Sequence, residues 1–196
     1  MDREKRDLII SWATITLAFS MVLSENALDL FSFFEVLPIA ALGVGSGFIL
    51  HELAHKYVSI HYGAHAEFRA WDKGLMLVIV SAILVAFGWF PFLFAAPGAV
   101  YIMEHVSRKQ NGIISLAGPL TNIVIGVAFI FLGVVFPLFS KLFFPVAWIN
   151  FSLGLFNLIP IPPLDGSKVL AWNGLVWAVF FIPLALFIFL PGFFRF

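Results

Sequence analysis

Long apolar runs, separated by short polar segments, make up most of this chain of 196 residues. A helix needs about 20 predominantly apolar residues to cross the hydrocarbon core of a bilayer. Five runs approach or exceed that length, and they cover residues 8–23, 36–57, 113–136, 142–159 and 170–190. The pattern therefore predicts an all-α polytopic membrane protein with about five full transmembrane helices.

One more apolar stretch, residues 74–103, is interrupted by Gly88, Pro91, Pro97 and Gly98. Residues 75–87 can form a helix of about 20 Å at 1.5 Å per residue. Residues 89–103 can return over the same distance if they are extended at about 3.3 Å per residue. We therefore expect a re-entrant helix and β-hairpin element here, with a strand edge at residues 99–102.

The composition agrees with a membrane protein and excludes several other classes. Hydrophobic residues make up 62% of the chain and charged residues 11%, whereas a soluble domain has about 45–50% apolar residues and a quarter charged residues. The formal net charge is zero, so charge gives no case for nucleic-acid binding. The chain contains no cysteine, which excludes disulfides and thiolate metal sites.

The second run ends in the candidate chemical centre, His51-Glu52-Leu53-Ala54-His55. Positions i and i+4 share one face of an α-helix, so the two histidines can bind one metal ion. Glu52 is rotated by about 100° from His51, close enough to reach a water on that metal. This H-E-x-x-H pattern is typical of zinc hydrolases. Alternatively, these residues mark a helix end at the membrane–water boundary.

Asp165 is the predicted third ligand. Pro160, Pro162 and Pro163 precede it, and because proline cannot continue a helix, the carboxylate should project from a rigid non-helical segment. Gly166 would permit a tight reversal behind it. An aspartate before a helix can instead be an N-cap, but a cap does not explain the prolines. Two histidines and one carboxylate leave a fourth tetrahedral position open for water, as in catalytic zinc sites.

Two further motifs follow the H-E-L-A-H segment along the chain. They are A-G-P-L-T-N at residues 117–122 and N-L-I-P-I-P-P-L-D-G at residues 157–166. The three motifs, in this order, resemble those of the site-2 protease family of intramembrane zinc metalloproteases. The resemblance implies one Zn²⁺ per chain, held by His51, His55 and Asp165.

The same resemblance assigns the catalytic groups and the substrate. Glu52 would be the general acid/base, and Asn157 would help to hold the substrate or the oxyanion. Asn122 falls on the asparagine of the G-P-x-x-N motif and is a second candidate to stabilise the oxyanion. The implied reaction is hydrolysis of a peptide bond within transmembrane helices of membrane-protein substrates, with a zinc-bound water as nucleophile. The expected partners are such a substrate helix and the lipid bilayer.

We interpret residues 1–196 as one membrane-embedded metalloprotease domain with a catalytic core near residues 36–170, a short form without room for a PDZ or CBS domain. The metal ligands must lie on one side of the membrane, so residues 74–103 must cross it an even number of times. With the N-terminus inside, nine of the 11 Lys and Arg residues lie inside and only Lys141 and Arg195 outside, as the positive-inside rule prefers. We therefore expect a multi-pass protein of the cell membrane, with its N-terminus and active-site mouth on the cytoplasmic side.

Two other functions use some of the same residues. A prenyl-protein protease type of site would take its third ligand from Glu67 or Glu104, but neither lies in a helical context beside the zinc motif. A membrane zinc sensor or transporter could use the same ligands without catalysis, although it would not need an acid at Glu52. The remaining histidines lie in polar loops and are expected to be solvated, namely His61, His65 and His105.

Overall fold

The computed structural model describes residues 2–24, 29–90 and 93–189. It consists of helices and one two-stranded sheet. In chain order the elements are α1 (Arg3–Leu23), α2 (Leu30–Val44), α3 (Leu50–His61), β1 (Ala66–Ala70), α4 (Asp72–Ala86), β2 (Gly98–Ile102), α5 (Arg108–Val135), α6 (Ser140–Leu158), α7 (Asp165–Trp172) and α8 (Gly174–Phe189). A π-helical turn, Gly45–Ile49, joins α2 to α3, and a short 3₁₀ turn, Pro137–Phe139, precedes α6.

Four helical segments of the described chain are long and apolar enough to cross a membrane: Arg3–Leu23, Leu30–His61, Arg108–Val135 and Pro137–Leu158. Helix α8 is apolar but shorter. The predicted all-α polytopic fold is thus confirmed. The last predicted span, residues 170–190, is divided in its described part because Asn173 ends α7 and its side-chain oxygen accepts hydrogen bonds from the first N–H groups of α8.

Two helices begin earlier than the apolar pattern predicts. The second span starts at Leu30, ahead of the predicted start at residue 36, because Asp29 accepts a hydrogen bond from the Phe31 N–H and caps the helix. Helix α5 starts at Arg108 and not at residue 113, because Ser107 and Gln110 form a capping box. Polar residues open both helices, so hydrophobicity alone does not reveal these starts.

The second span packs closely against α6 through its glycines. A Cβ atom on Gly43 would lie 2.5 Å from Ile149 Cδ1, and one on Gly47 would lie 2.8 Å from Leu153 Cδ1. Small residues at this spacing let two membrane helices approach each other closely. Both Ile149 and Leu153 belong to the main buried cluster, which also includes Ile15 of α1.

Between α3 and α5 the chain runs from β1 through α4 and then returns as β2 to pair with β1. Strands β1 and β2 pair in antiparallel fashion, with Ala66 opposite Ile102 and Ala70 opposite Gly98. Between them, the Phe94 N–H of the returning chain donates a hydrogen bond to Ser81 Oγ of α4 at 3.0 Å. The helix and the strand of the predicted element are therefore present as α4 and β2, while its entry into the membrane stays a prediction. Strand β1 lies in a segment whose sequence predicts only a polar loop.

Candidate metal centre

Helix α3 and the start of α7 bring His51, His55 and Asp165 together as the candidate metal group of the described residues. The two Nε2 atoms lie 2.9 Å apart. Asp165 Oδ2 lies 3.3 Å from His51 Nε2 and 3.0 Å from His55 Nε2. All three residues are buried. The three predicted ligands thus converge on one point, although they come from distant parts of the chain.

Hydrogen bonds behind the rings determine which nitrogen of each histidine faces that point. The Gly47 carbonyl can only accept, and it accepts from Asn122 Nδ2 at 2.7 Å. Asn122 therefore presents Oδ1 to His51 Nδ1, at 2.6 Å, so Nδ1 must carry the proton. In the same way, His55 Nδ1 donates to the Ile114 carbonyl at 2.7 Å.

Each histidine consequently directs the lone pair of its Nε2 toward the other histidine and toward a carboxylate oxygen. Two lone pairs and an anionic oxygen repel one another unless a cation lies between them. Imidazole and carboxylate are ordinary ligands of Zn²⁺, and a second-shell acceptor on the far nitrogen is the usual arrangement for ligating histidines. The residues present therefore fit a zinc ion.

The π-helical turn before α3 offers a backbone carbonyl to Asn122. A π turn departs from the regular i→i−4 hydrogen bonds of the α-helix, and such turns are frequent at functional sites. Gly47 lies in this turn, and its carbonyl accepts from the Asn122 amide, which is fully buried on α5. One asparagine side chain thus connects the turn to the first ligand.

Gly118 of α5 directly faces Nε2 of both His51 and His55. A Cβ atom at this position would collide with Nε2 of both His51 and His55. Any residue with a side chain would therefore fill the space where the ligand atoms converge. Gly118 and Asn122 of the A-G-P-L-T-N motif thus have different roles. Gly118 leaves space for the two histidine rings, and Asn122 orients His51.

The structure differs from the prediction at both Asp165 and Gly166. The preceding residues are non-helical, as expected, but Asp165 is itself the first residue of α7. Gly166 has no positive φ and makes no reversal. A Cβ atom there would instead collide with the Leu158 carbonyl. The glycine is thus required for close approach to the end of α6, which sets the depth of the carboxylate.

Positive charge on the histidine side favours the charged form of Asp165. Burial alone would raise the pKa of the carboxyl, but a cation beside Oδ2, such as an imidazolium, holds the pKa of Asp165 below its ordinary value. Its second oxygen, Oδ1, lies 3.4 Å from Lys168 Nζ. The two oxygens therefore have different partners, Oδ2 on the histidine side and Oδ1 on the lysine side.

Glu52 lies beside this group and has a free oxygen. It is 8% exposed, and Oε2 has no hydrogen-bond partner among the described residues. A buried carboxylate without a partner costs free energy in a folded protein, and a functional role is one reason for a protein to retain it. Glu52 does not belong to the converging group, so it is available for proton transfer and not as a ligand.

A cavity of about 240 Å³ opens onto the site. His51, Glu52, His55 and Asp165 line one part of it, and residues 98–102 of β2 form a wall. An extended segment lying along β2 would therefore pass the metal group.

The two asparagines that the resemblance selects have different surroundings. Asn157 lines the cavity, and its Nδ2 donates to the Leu153 carbonyl of its own helix at 3.0 Å. Asn122 is fully buried, and both of its amide atoms are engaged by Gly47 and His51. Asn122 is thus placed to orient a ligand, which differs from the oxyanion role predicted for it.

The alternative ligands lie elsewhere. Glu67 on β1 pairs with Arg69, and Glu104 Oε2 accepts a hydrogen bond from the His65 N–H. Neither glutamate belongs to the converging group, so the prenyl-protein protease type of site has no support. The other histidines are exposed, namely His61, His65 and His105.

Comparison with known proteins identifies the class. Residues 137–184 match peptidase family M50, the site-2 protease family. The chain is also 41% identical, over 186 residues, to the candidate zinc metalloprotease MJ0611 of Methanocaldococcus jannaschii, an alignment that covers 93% of this chain and 91% of that protein. The chain therefore belongs to the M50 family of metalloproteases.

Two longer relatives match in part. The zinc metalloprotease MJ0392 of Methanocaldococcus jannaschii is 30% identical over 125 residues. That alignment covers 62% of this chain and 30% of the length of MJ0392. Stage IV sporulation protein FB of Bacillus subtilis is 31% identical over 67% of this chain and 43% of its own length. No solved structure matches the chain.

Proposed function

We propose that this chain is an intramembrane zinc metalloprotease that hydrolyses a peptide bond within transmembrane helices of membrane-protein substrates. Family membership supports metalloprotease activity. The observation that carries the finer proposal is the buried His51, His55 and Asp165 group beside a partnerless glutamate, with a strand edge along the same cavity. The relevant helices are apolar enough to lie in a bilayer.

In this proposal His51, His55 and Asp165 hold the ion. A zinc ion held by these residues would supply a Lewis acid for the scissile carbonyl and would lower the pKa of a water toward neutrality. Glu52 accepts that proton and later delivers it to the leaving amine, as a general acid/base. Asn157, on the cavity wall, can turn its amide toward the developing oxyanion and donate a hydrogen bond to it.

The register of the hairpin indicates how a substrate would be held. The Trp71 N–H donates to the Pro97 carbonyl at 2.8 Å, and the Met103 N–H donates to the His65 carbonyl at 2.9 Å. Because hydrogen-bonded pairs alternate along an antiparallel ladder, Ala99 and Tyr101 also pair with β1.

It follows that the backbone N–H and C=O groups of Val100 and Ile102 face away from β1. Residues 98–102 line the cavity, so these free groups can receive an unwound substrate segment as an added strand. An intact substrate helix has its carbonyls in i→i−4 bonds and must open before it is cut. We therefore expect Gly, Pro or Asn near the cut, since these residues lower the cost of opening.

The orientation proposed from the positive charges fits this arrangement. Arg3, Lys5 and Arg6 at the start of α1, and Lys56 and Lys168 near the metal group, would share the cytoplasmic side. The active-site mouth would then open toward the cytoplasm, and the protein would reside in the cell membrane.

The test is the isosteric change Glu52→Gln. It keeps the shape of the side chain and removes the proton shuttle, so cleavage should fall by at least ~10²-fold while the zinc content stays unchanged. The measurement is cleavage of a synthetic single-span peptide with a central Asn-Gly pair in liposomes, with zinc determined by mass spectrometry. Glu35→Gln, at an exposed position on the same helical segment, is the matched control.

The outcomes separate a protease from a zinc sensor or transporter. Loss of cleavage in Glu52→Gln alone supports the protease. Wild-type protein that binds zinc but leaves the peptide intact would instead favour a non-enzymatic zinc protein. Unchanged cleavage by Glu52→Gln would remove this residue from the mechanism.

A further inference from the structure

We infer that Glu4, assisted by Asp7, is a positioning residue for substrate. Its carboxylate holds the β1–β2 hairpin against α1 and against the metal-binding helix, so that the free edge of β2 stays at a fixed distance from the metal group. This inference rests on the proposed function. It concerns a residue far from the motifs, in the first turn of the first helix.

The Glu4 carboxylate contacts three elements at once. Lys56 Nζ donates to its Oε1 at 2.8 Å and to its Oε2 at 2.6 Å. The Phe68 N–H of β1 donates to Oε1 at 3.2 Å. Since Lys56 follows the ligand His55 directly in α3, one carboxylate links α1, the metal-binding helix and the hairpin. The Glu4 side chain is only 13% exposed, so water weakens this ion pair less than it weakens an exposed one.

The hairpin register shows why these contacts matter. Residues 67 and 69 pair with β2, so the N–H groups of Phe68 and Ala70 point to the outer edge of β1. Glu4 accepts from the first of them, and Asp7 Oδ2 accepts from the second at 3.4 Å. The two acidic side chains of α1 therefore take the place of a neighbouring strand and close the outer edge.

Closing one edge leaves the other available. The outer edge of β1 is held by α1, whereas the edge formed by Val100 and Ile102 lines the cavity. The hairpin can thus accept a strand only on the side that faces the metal group. Its position is otherwise held by the Phe68 ring, which meets the Phe48 ring edge-on at 5.5 Å between centroids.

The metal ligands do not depend on these contacts. Asn122 and Ile114, both on α5, orient the two histidines, and neither is among the partners of Glu4. A loosened hairpin should therefore impair the use of substrate while the ion stays bound. This separation distinguishes a positioning role from a general contribution to folding.

The decisive variants differ in which contacts of the Glu4 side chain they retain. Glu4→Ala removes both the ion pair and the acceptor for Phe68. Glu4→Gln keeps an acceptor oxygen without the charge. The exchange Glu4→Lys with Lys56→Glu restores an ion pair between α1 and α3 but removes the acceptor that α1 offers to Phe68, since an ammonium group only donates.

We expect Glu4→Ala to raise the KM for the synthetic single-span peptide in liposomes by roughly tenfold, the scale of one lost hydrogen bond to a charged group. The value of kcat and the zinc content should change little. Glu4→Gln keeps a neutral acceptor and should have an intermediate KM, whereas the charge exchange should not restore the wild-type value. Amide hydrogen exchange of the full chain should become faster at residues 66–70 and 98–102 in Glu4→Ala, with residues 50–61 unchanged.

Three results would overturn the inference. One is hydrogen exchange in the hairpin that Glu4→Ala leaves unchanged. Another is a loss of zinc or kcat at constant KM, which would make Glu4 a support of the fold alone. The third is recovery of KM in the charge exchange, because the ion pair with Lys56 would then suffice. Failure of the wild-type protein to cleave is a failure of the proposed function, and the exchange measurement on the hairpin still decides this inference.

Discussion

The metal centre and the β1–β2 hairpin face the same cavity but are held in contrasting ways. Around the histidines, each Nδ1 has an acceptor, and the asparagine that orients His51 is fully buried. The hairpin has strands of five residues each, and Tyr101 is 58% exposed. The histidines are oriented by buried hydrogen bonds, whereas the hairpin is held at one edge and open at the other.

The difference separates two requirements of the proposed reaction. Ligand atoms must be held within about half an ångström of their working positions, which packing and buried hydrogen bonds achieve. A substrate segment must enter and leave, which requires an element with unpaired backbone groups. Substitutions near α5 should therefore change metal binding, whereas substitutions in the hairpin should change substrate use.

The largest effect should come from the third ligand. Asp165→Ala removes the only carboxylate of the converging group, so the protein should lose most of its bound zinc, expected at about one ion per chain, together with all cleavage. The measurement is metal content after dialysis. Asp72→Ala is the matched control, because Asp72 also lies at the first residue of a helix but is exposed. Full zinc occupancy in Asp165→Ala, or in the His51→Ala/His55→Ala double variant, would break the assignment.

A smaller loss should follow from the residue behind the first ligand. Asn122→Ala removes the acceptor of His51 Nδ1–H, and second-shell changes of this kind typically cost about 10–100-fold in metal affinity or activity. Asn150→Ala is a close control, since Asn150 is equally buried and donates to the Gly43 carbonyl of the same helical segment without touching a histidine. Competition with a chelator gives both affinities. Equal losses would mean that helix packing, and not ligand orientation, governs the site.

The sequence was enough to predict the histidine pair of the metal centre and the return of the chain that forms β2. The i, i+4 spacing placed His51 and His55 on one face, and the topology required residues 74–103 to return. Apolar length was sufficient to locate four membrane-spanning helices, but the starts at Leu30 and Arg108 and the break at Asn173 depend on polar capping residues.

Other features could not be predicted from local pattern. Strand β1 is only five residues long, and its Glu67 and Arg69 make the segment look like a polar loop. The contact of Glu4 with Phe68 joins residues that lie 64 positions apart, so no local pattern indicates it. The roles of Gly118 and Asn122 depend on the distance between α5 and α3, which only the packed structure supplies.

The smallest of these effects should appear at the free strand edge. Val100→Pro removes one N–H that faces the cavity, while the pairing of Ala99 and Tyr101 with β1 can persist because their own N–H groups remain. The net worth of one hydrogen bond predicts roughly a two- to tenfold decrease in cleavage efficiency, with zinc content unchanged. Val100→Ala keeps the N–H, reduces the side chain and should cut nearly as well as wild type. The same liposome assay measures both variants. If Val100→Pro cuts normally, the substrate does not add to β2. If the variant loses zinc, the hairpin and the metal centre behave as one rigid unit, and the two regions do not serve separate requirements.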